Sequence, residues 1–283
     1  MMLREGWAMA REAAKAWNDD YAPSMGAALA YYTLFSIAPL LVIVLALAGL
    51  LFGEQAARGE LFAQISRFIG PNGAKAIEEL IAHANRPGAG TVALVSGTAA
   101  LFLGASAVFG ELQNALDRIW RAPSRKDDRG WMNLVRSRLL SFGMILAVAF
   151  VLMVSLVMSA LFAALGEWQG LDLAASFCVT TLMFALVYRI IPRVPIRWRD
   201  VWVGAALTAA LFALGKLAIG LYLGRSGVAS AFGAAGSLVA VMVWVYYSAQ
   251  VFLLGAEFTR IYAARIRQCD AAPNASSPRT SAA

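Results

Sequence analysis

The sequence predicts an all-α, polytopic membrane protein of about six transmembrane helices with amphipathic surface helices. Three observations predict it. Of the 283 residues, 60 % are apolar and 14 % are charged, where soluble domains carry about 45–50 % and about 25 %. The charges cluster between uncharged runs that approach or exceed the roughly 20 apolar residues a bilayer-crossing helix needs. The basic residues also alternate between rich and poor intervening segments, as the positive-inside rule requires of a multi-pass chain. A disordered chain is excluded, and an ordinary water-soluble enzyme does not fit.

The chain divides into a cytoplasmic amphipathic segment (1–20), a six-helix transmembrane domain (21–262) and a disordered cytoplasmic tail (263–283). In the first segment Leu3, Trp7, Ala10, Ala14 and Trp17 recur at helical spacing and form one face. Two tryptophans on that face fit a helix lying in the membrane interface; a helix packed on the protein's own cytoplasmic side fits equally. The run that follows, Tyr21–Gly53, has 33 uncharged residues. It is far longer than the about 7–15 of a signal-peptide core, so it reads as an anchor that is kept. Pro39 lies midway along it and leaves the Phe35 carbonyl without its helical donor, an acceptor that Ser36 or water can serve. That makes Pro39 a candidate hinge.

The loop Glu54–Arg86 has helical spacing in two stretches, Leu61, Ile65, Phe68 and Ile77, Leu80, Ile81, divided by Gly70-Pro71-Asn72-Gly73. It reads as an outer-face amphipathic loop (54–86). Spans two to six follow as Pro87–Gly110, Leu139–Gly166, Leu173–Tyr188, Val201–Gly224 and Ser226–Ala256. The fourth reaches span length only with Asp172 and Arg189 at the interfaces. The fifth carries Lys216, and the Gly/Ala/Ser-rich start of the sixth reads as loop. Phe109, Leu112, Leu116, Ile119 and Trp120 continue span two as an amphipathic helix. Segments on the side of the N-terminus hold 18 of the 24 Lys and Arg, and those on the other side hold five. Both termini are therefore expected in the cytoplasm.

The motifs of soluble chemistry are missing from the sequence. A single histidine, His83, rules out two-histidine metal motifs, and two cysteines do not make a Cys-rich site. No P-loop or nucleophile elbow occurs, so no catalytic residue, metal or cofactor is expected and direct ATP hydrolysis is not. The net charge of +7 points to anionic head groups of membrane lipids at the cytoplasmic face. It does not point to nucleic acid, because no aromatic and basic platform accompanies it. Polar groups in or near a bilayer are costly and therefore candidates for function. Glu111, Arg189 and Glu257 fall at cytoplasmic span ends. Tyr31 and Tyr32 lie one to two turns into span one, and Gln250 about two turns deeper than Glu257. If these faces converge, they line a path for substrate opening to the cytoplasm; otherwise each caps its own helix. Lys216 is an intramembrane charge that either snorkels outward or meets an anion. Ala100 and Gly104, Ser106 and Gly110, and Gly220 and Gly224 are small-xxx-small pairs that permit close helix approach.

Several motifs together resemble a known family. They are Ala-Leu-Ala-Tyr-Tyr-Thr-Leu-Phe-Ser-Ile-Ala-Pro-Leu-Leu (Ala28–Leu41), Phe-Gly-Glu-Leu-Gln-Asn-Ala-Leu-Asp-Arg-Ile-Trp (Phe109–Trp120) and Tyr-Arg-Ile-Ile-Pro (Tyr188–Pro192) with Arg-Trp-Arg-Asp (Arg197–Asp200). Phe-Gly-Ala-Ala-Gly-Ser (Phe232–Ser237), Trp-Val-Tyr-Tyr-Ser-Ala-Gln (Trp244–Gln250) and Leu-Gly-Ala-Glu-Phe-Thr-Arg (Leu254–Arg260) complete the set. Their order over Tyr21–Tyr262 resembles the YihY/BrkB family of bacterial inner-membrane proteins. The pattern departs at Phe232, where Tyr is frequent, and at Asp117, where Asn is frequent. The resemblance implies a bacterial inner-membrane protein of about six helices. Its members have carried a ribonuclease BN label, a serum-resistance label and suggestions of transport or lipid handling. Metal-dependent phosphodiester hydrolysis needs clustered carboxylates or histidines, which this chain does not offer. The expected function is transport or handling of a lipid or other amphiphile in envelope maintenance. The alternatives are a non-transporting scaffold that recruits envelope protein partners and a small-solute or ion transporter in which Lys216 matters most.

Overall fold

A computed structural model describes residues 2–36, 107–123, 169–225 and 236–271, with isolated helical positions between 55 and 78. Among these residues the regular structure is entirely helical. Six helices carry it: α1 (Met2–Asp19), α2 (22–36), α3 (107–119), α4 (Gln169–Ile190), α5 (Trp198–Arg225) and α6 (Gly236–Ala271). Pro39, the span Leu139–Gly166, most of the 54–86 loop, Phe232 and the last twelve residues lie outside the described residues.

The helix boundaries follow from local chemistry. Pro23 sits in the first turn of α2, where a missing N–H costs nothing. Pro192 closes the α4 segment, since the residue before a proline is driven out of helical geometry. Asp200 stands in the first turn of α5, where the exposed backbone N–H groups favour an anion. Both α1 and α3 end on a left-handed residue, Tyr21 with φ 58° and Arg121 with φ 52°. At the end of α3 the Ala122 N–H bonds the Asp117 carbonyl and the Arg121 N–H that of Arg118, the paired closure of a Schellman turn. Glycine adopts this geometry without strain and a side chain does not, so both turns hold strained residues at Tyr21 and Arg121.

Among the described residues two helices are long and apolar enough to cross a membrane, over Trp198–Ile219 and Val241–Arg267, and α4 holds a shorter apolar stretch, Ala174–Ile190. They coincide with predicted spans four, five and six. Helix α6 differs from the sequence reading at its end. It runs to Ala271, past Ala256, where the span was closed, and past Ala263, where the tail was begun. Arg260, Arg265 and Arg267 sit at intervals that a helix tolerates, and each finds an acid: Glu257, Glu12 and Asp200.

Helix α1 also sharpens its sequence reading. Ala13 and Asp20 are buried, whereas Trp7 is 75 % exposed and Ala10 and Ala14 are exposed as well. Of the predicted face, Trp7, Ala10 and Ala14 are thus exposed, whereas Trp17 is half-buried. In α2, Ser36 donates its hydroxyl to the Thr33 carbonyl at 3.1 Å, and not to Phe35, the acceptor expected from the position of Pro39.

The chain forms two compact units. One comprises Met1–Tyr21, Ala115–Ala210 and Phe252–Ala283; the other comprises Ala22–Asn114 and Leu211–Val251.

Candidate functional site

The first unit is organised around a close antiparallel crossing of α5 and α6. Each helix contributes a glycine and, four residues later, a threonine. A Cβ placed on Gly204 would collide with Thr259 Oγ1, and one placed on Gly255 would collide with Thr208 Oγ1. The two Gly-xxx-Thr pairs therefore interlock, the glycine of one helix receiving the threonine of the other. Each threonine returns its hydroxyl to its own helix, Thr208 to Gly204 O at 2.7 Å and Thr259 to Gly255 O at 2.6 Å. This satisfies the hydroxyl where water is excluded and leaves the methyl to pack. The sequence reading singled out other small-xxx-small pairs and missed these two. The same four-residue rule, widened to accept threonine, finds both.

Tyr188 of α4 joins this crossing. Its ring is fully buried beside Phe252 and Phe184, with centroids 4.9 and 6.3 Å away. Its hydroxyl donates to the Phe252 carbonyl at 2.7 Å and lies 3.0 Å from Thr208 Oγ1. Two hydroxyl protons, of Tyr188 and Thr208, serve three contacts, so the Thr208 proton is shared between Gly204 O and the phenol oxygen. Because the Phe252 carbonyl keeps its helical donor, Tyr188→Phe leaves little unsatisfied. Its expected cost is about 1 kcal/mol, read as a small drop in thermal midpoint in detergent; a loss of folded protein would show that the hydroxyl carries more than packing.

Around this core lie ion pairs. Glu257 is fully buried, and its Oε2 accepts from Arg260 Nε at 3.0 Å, with the second guanidinium nitrogen at 2.9 Å. Asp20, at the end of α1, pairs through Oδ1 with Arg121 at 2.8 Å; the aspartate side chain is 5 % exposed and the arginine 60 %. The left-handed turns place both partners here. Tyr21, next to Asp20, lies under the Arg118 guanidinium, 5.3 Å from its centre. Asp117 accepts the Arg193 backbone N–H at 2.8 Å, with the Arg193 guanidinium 3.4 Å away. Burial pushes the Asp117 carboxyl up, against the opposing pull of both Arg193 contacts. The acid that departs from the family pattern is thus used for an ion pair that an asparagine could not make.

Arg189 occupies a different surface. It donates to the Ile196 carbonyl at 2.9 Å and lies over the Trp198 ring at 4.4 Å. Trp198 in turn stacks on Trp202 with centroids 6.2 Å apart. Both indoles are exposed, at 39 % and 44 %, and Arg193, Arg197 and Arg199, close to them in sequence, are exposed. The other predicted site residues are placed as follows. Within the second unit Tyr31 is exposed and packs edge-on to the half-buried Tyr32 at 5.5 Å and against Phe35 at 4.9 Å. Gln250 bonds the Ala22 and Pro23 carbonyls through its amide nitrogen, at 3.5 and 3.3 Å, and fills the space above Gly26. Glu111 is half-buried on α3, and Lys216 stands on the exposed side of α5 between exposed Leu214 and Leu217. Glu257 and Arg189, both in the first unit, take different partners, and Tyr31 and Tyr32 are joined to each other. Among the described residues no cluster of three or more His, Cys, Asp or Glu side chains is placed to hold a metal ion.

A profile of the family described as "Virulence factor BrkB" matches residues 13–279, nearly the whole chain. The chain belongs to the BrkB family. Its relatives carry a shared description: a UPF0761 membrane protein of Tolumonas auensis is 27 % identical over 87 % of this chain and 82 % of its own length. One of Verminephrobacter eiseniae is 32 % identical over 58 % of this chain and 40 % of the relative, and one of Alcanivorax borkumensis 28 % identical over 86 % and 58 %. The chain thus spans most of the first of these relatives and little more than half, or less, of the other two. No solved structure matches the chain. Membership in a family of membrane proteins, with the apolar helices above, establishes an all-α membrane protein.

Proposed function

We propose that this BrkB-family protein handles a lipid or another amphiphile in the bacterial inner membrane, and that the Arg189–Trp198–Trp202 surface takes the anionic head group at the cytoplasmic face. The observation that carries the reading is the exposed indole pair with a guanidinium laid over it and three more exposed arginines close by in sequence. Tryptophan prefers the head-group layer, where its ring is in apolar surroundings and its N–H is wet. Arginine binds phosphate through a planar fork of donors. Exposed Trp7 of α1 supplies another indole suited to the head-group layer. The long arginine-rich end of α6 agrees with an anionic leaflet on that side.

The test is transbilayer movement of labelled phospholipid in proteoliposomes containing the full chain. The wild-type protein should move anionic lipid faster than protein-free vesicles do. Arg189→Gln together with Trp202→Ala should lower the rate about five-fold, since each basic contact at a charged surface is worth about 1 kcal/mol. Absence of movement with correctly inserted wild-type protein would overturn the reading in favour of a scaffold, for which exposed loop substitutions should matter more than those in the bundle.

A further inference from the structure

Two buried carboxylates of the first unit, Asp20 and Glu257, each keep one oxygen without a hydrogen-bond partner. Asp20 and Glu257 lie within hydrogen-bonding reach of each other. Each uses one oxygen for an arginine: Asp20 Oδ1 for Arg121, and Glu257 Oε2 for Arg260. The remaining oxygens, Asp20 Oδ2 and Glu257 Oε1, are buried without a hydrogen-bond donor. Two ionised carboxylates in that position would offer four acceptor oxygens and, at the facing pair, only repulsion between like charges. An unpartnered buried acceptor is itself costly, more so when charged.

We propose that Asp20 and Glu257 share one proton between Oδ2 and Oε1, forming a buried proton-binding site that latches the end of α1 to α6. One carboxyl then donates to the other carboxylate, and both orphan oxygens are satisfied by a single hydrogen. The proton comes from water, and the four-group cluster of two acids and two arginines changes from neutral to +1 on binding it. A metal cation fits the site poorly, because a guanidinium already occupies the outer oxygen of each acid. Of the other charged groups on these elements, Arg118 lies over Tyr21, Asp117 pairs with Arg193, Glu12 with Arg265 and Asp200 with Arg267, while Arg11, Lys15 and Asp19 of α1 are exposed. The titration belongs to the pair and not to either residue.

The sign follows from linkage. A proton held more tightly in the folded state stabilises it at low pH, and that contribution is lost as pH rises through the pair's titration. The join of α1 to α6 is therefore tight in mild acid and loosened in base.

The experiment is infrared spectroscopy of the purified full chain in nanodiscs, titrated from about pH 5 to about pH 9, with thermal unfolding measured across the same range. A protonated-carboxyl stretch that shifts in D2O and disappears as pH rises is expected in the wild-type protein. It should be absent in Glu257→Gln and in Asp20→Asn. In each variant an amide N–H supplies the missing hydrogen permanently, so the wild-type fall in thermal stability with rising pH should flatten while the fold is kept. If a variant fails to fold, the wild-type titration still decides. No protonated-carboxyl band in the wild-type chain at the acid end would overturn the proposal, as would a band that persists in both variants. Unchanged titration on adding sodium, magnesium or calcium is expected; a cation that abolishes the band at fixed pH would replace the proton site with a metal site. None of these readouts depends on lipid movement.

Discussion

Gly255→Leu is expected to leave no monodisperse protein after extraction from the membrane. Even the first carbon of a side chain at that position would collide with Thr208 Oγ1, lie 2.6 Å from the Tyr188 hydroxyl and lie 3.0 Å from Thr208 Cβ. None of these is the end of a flexible chain. Thr208 is held to its own helix, and Tyr188 is bonded across to α6. The helices cannot separate locally, because Gly204 and Thr259 interlock one turn away. Overpacking a well-filled core usually costs about 1–3 kcal/mol; Gly255→Ala should fall at the upper end of that range, and leucine should exceed the stability of the fold. Thr208→Ala removes the oxygen that the new carbon meets, so Gly255→Ala combined with Thr208→Ala should recover much of the loss. A double-mutant cycle on thermal midpoints in detergent reads that coupling. Additive losses would show that the two positions do not touch.

Arg260→Ala should destabilise the protein by about 3–5 kcal/mol, the range for removing one partner of a buried ion pair. The magnitude comes from Glu257, which has no exposed surface and takes both its contacts to Arg260 through one oxygen. Without the arginine that oxygen would be a buried acceptor with no donor. Arg260→Lys keeps the charge and should lose less. Arg265→Ala is the contrasting case: its partner Glu12 and the arginine are both substantially exposed, at 55 % and 41 %, so its expected effect is below about 1 kcal/mol. Chemical or thermal unfolding of the three variants beside the wild type checks the order. Equal effects for Arg260→Ala and Arg265→Ala would refute the distinction drawn from burial.

The sequence marked several polar residues without showing what they pair with. Glu257 stood out as a charge at the end of an apolar run. It is buried, and α6 continues for fourteen residues beyond it, a continuation hidden by the return of charge after Ala256. Those charges read as the end of a membrane span, although they equally suit a helix whose acids and bases are paired. Arg189 was marked as a lone basic group at a span end, and its cation–π partner Trp198 is nine residues further on, across the Pro192 turn. Gln250 was marked as a polar group deep in a span; it turns out to bond backbone carbonyls at the start of α2, more than 220 residues away in sequence.

Composition and periodicity by themselves determined the class of this protein. Long uncharged runs can bury their backbone in lipid only as helices, so an all-α membrane chain follows from 60 % apolar residues gathered into runs of span length. Ordered motifs determined the family. Only the tertiary structure decided which polar groups meet. Periodicity reports which residues share a face of one helix, but it carries no information about which face of another helix lies opposite. The pairing of Asp20 with Arg121, the facing of Asp20 and Glu257, and the interlock of Gly204 and Gly255 with Thr259 and Thr208 join residues between about 45 and 240 positions apart. Contacts of that range are set by how helices pack, and packing is a property of the assembled chain.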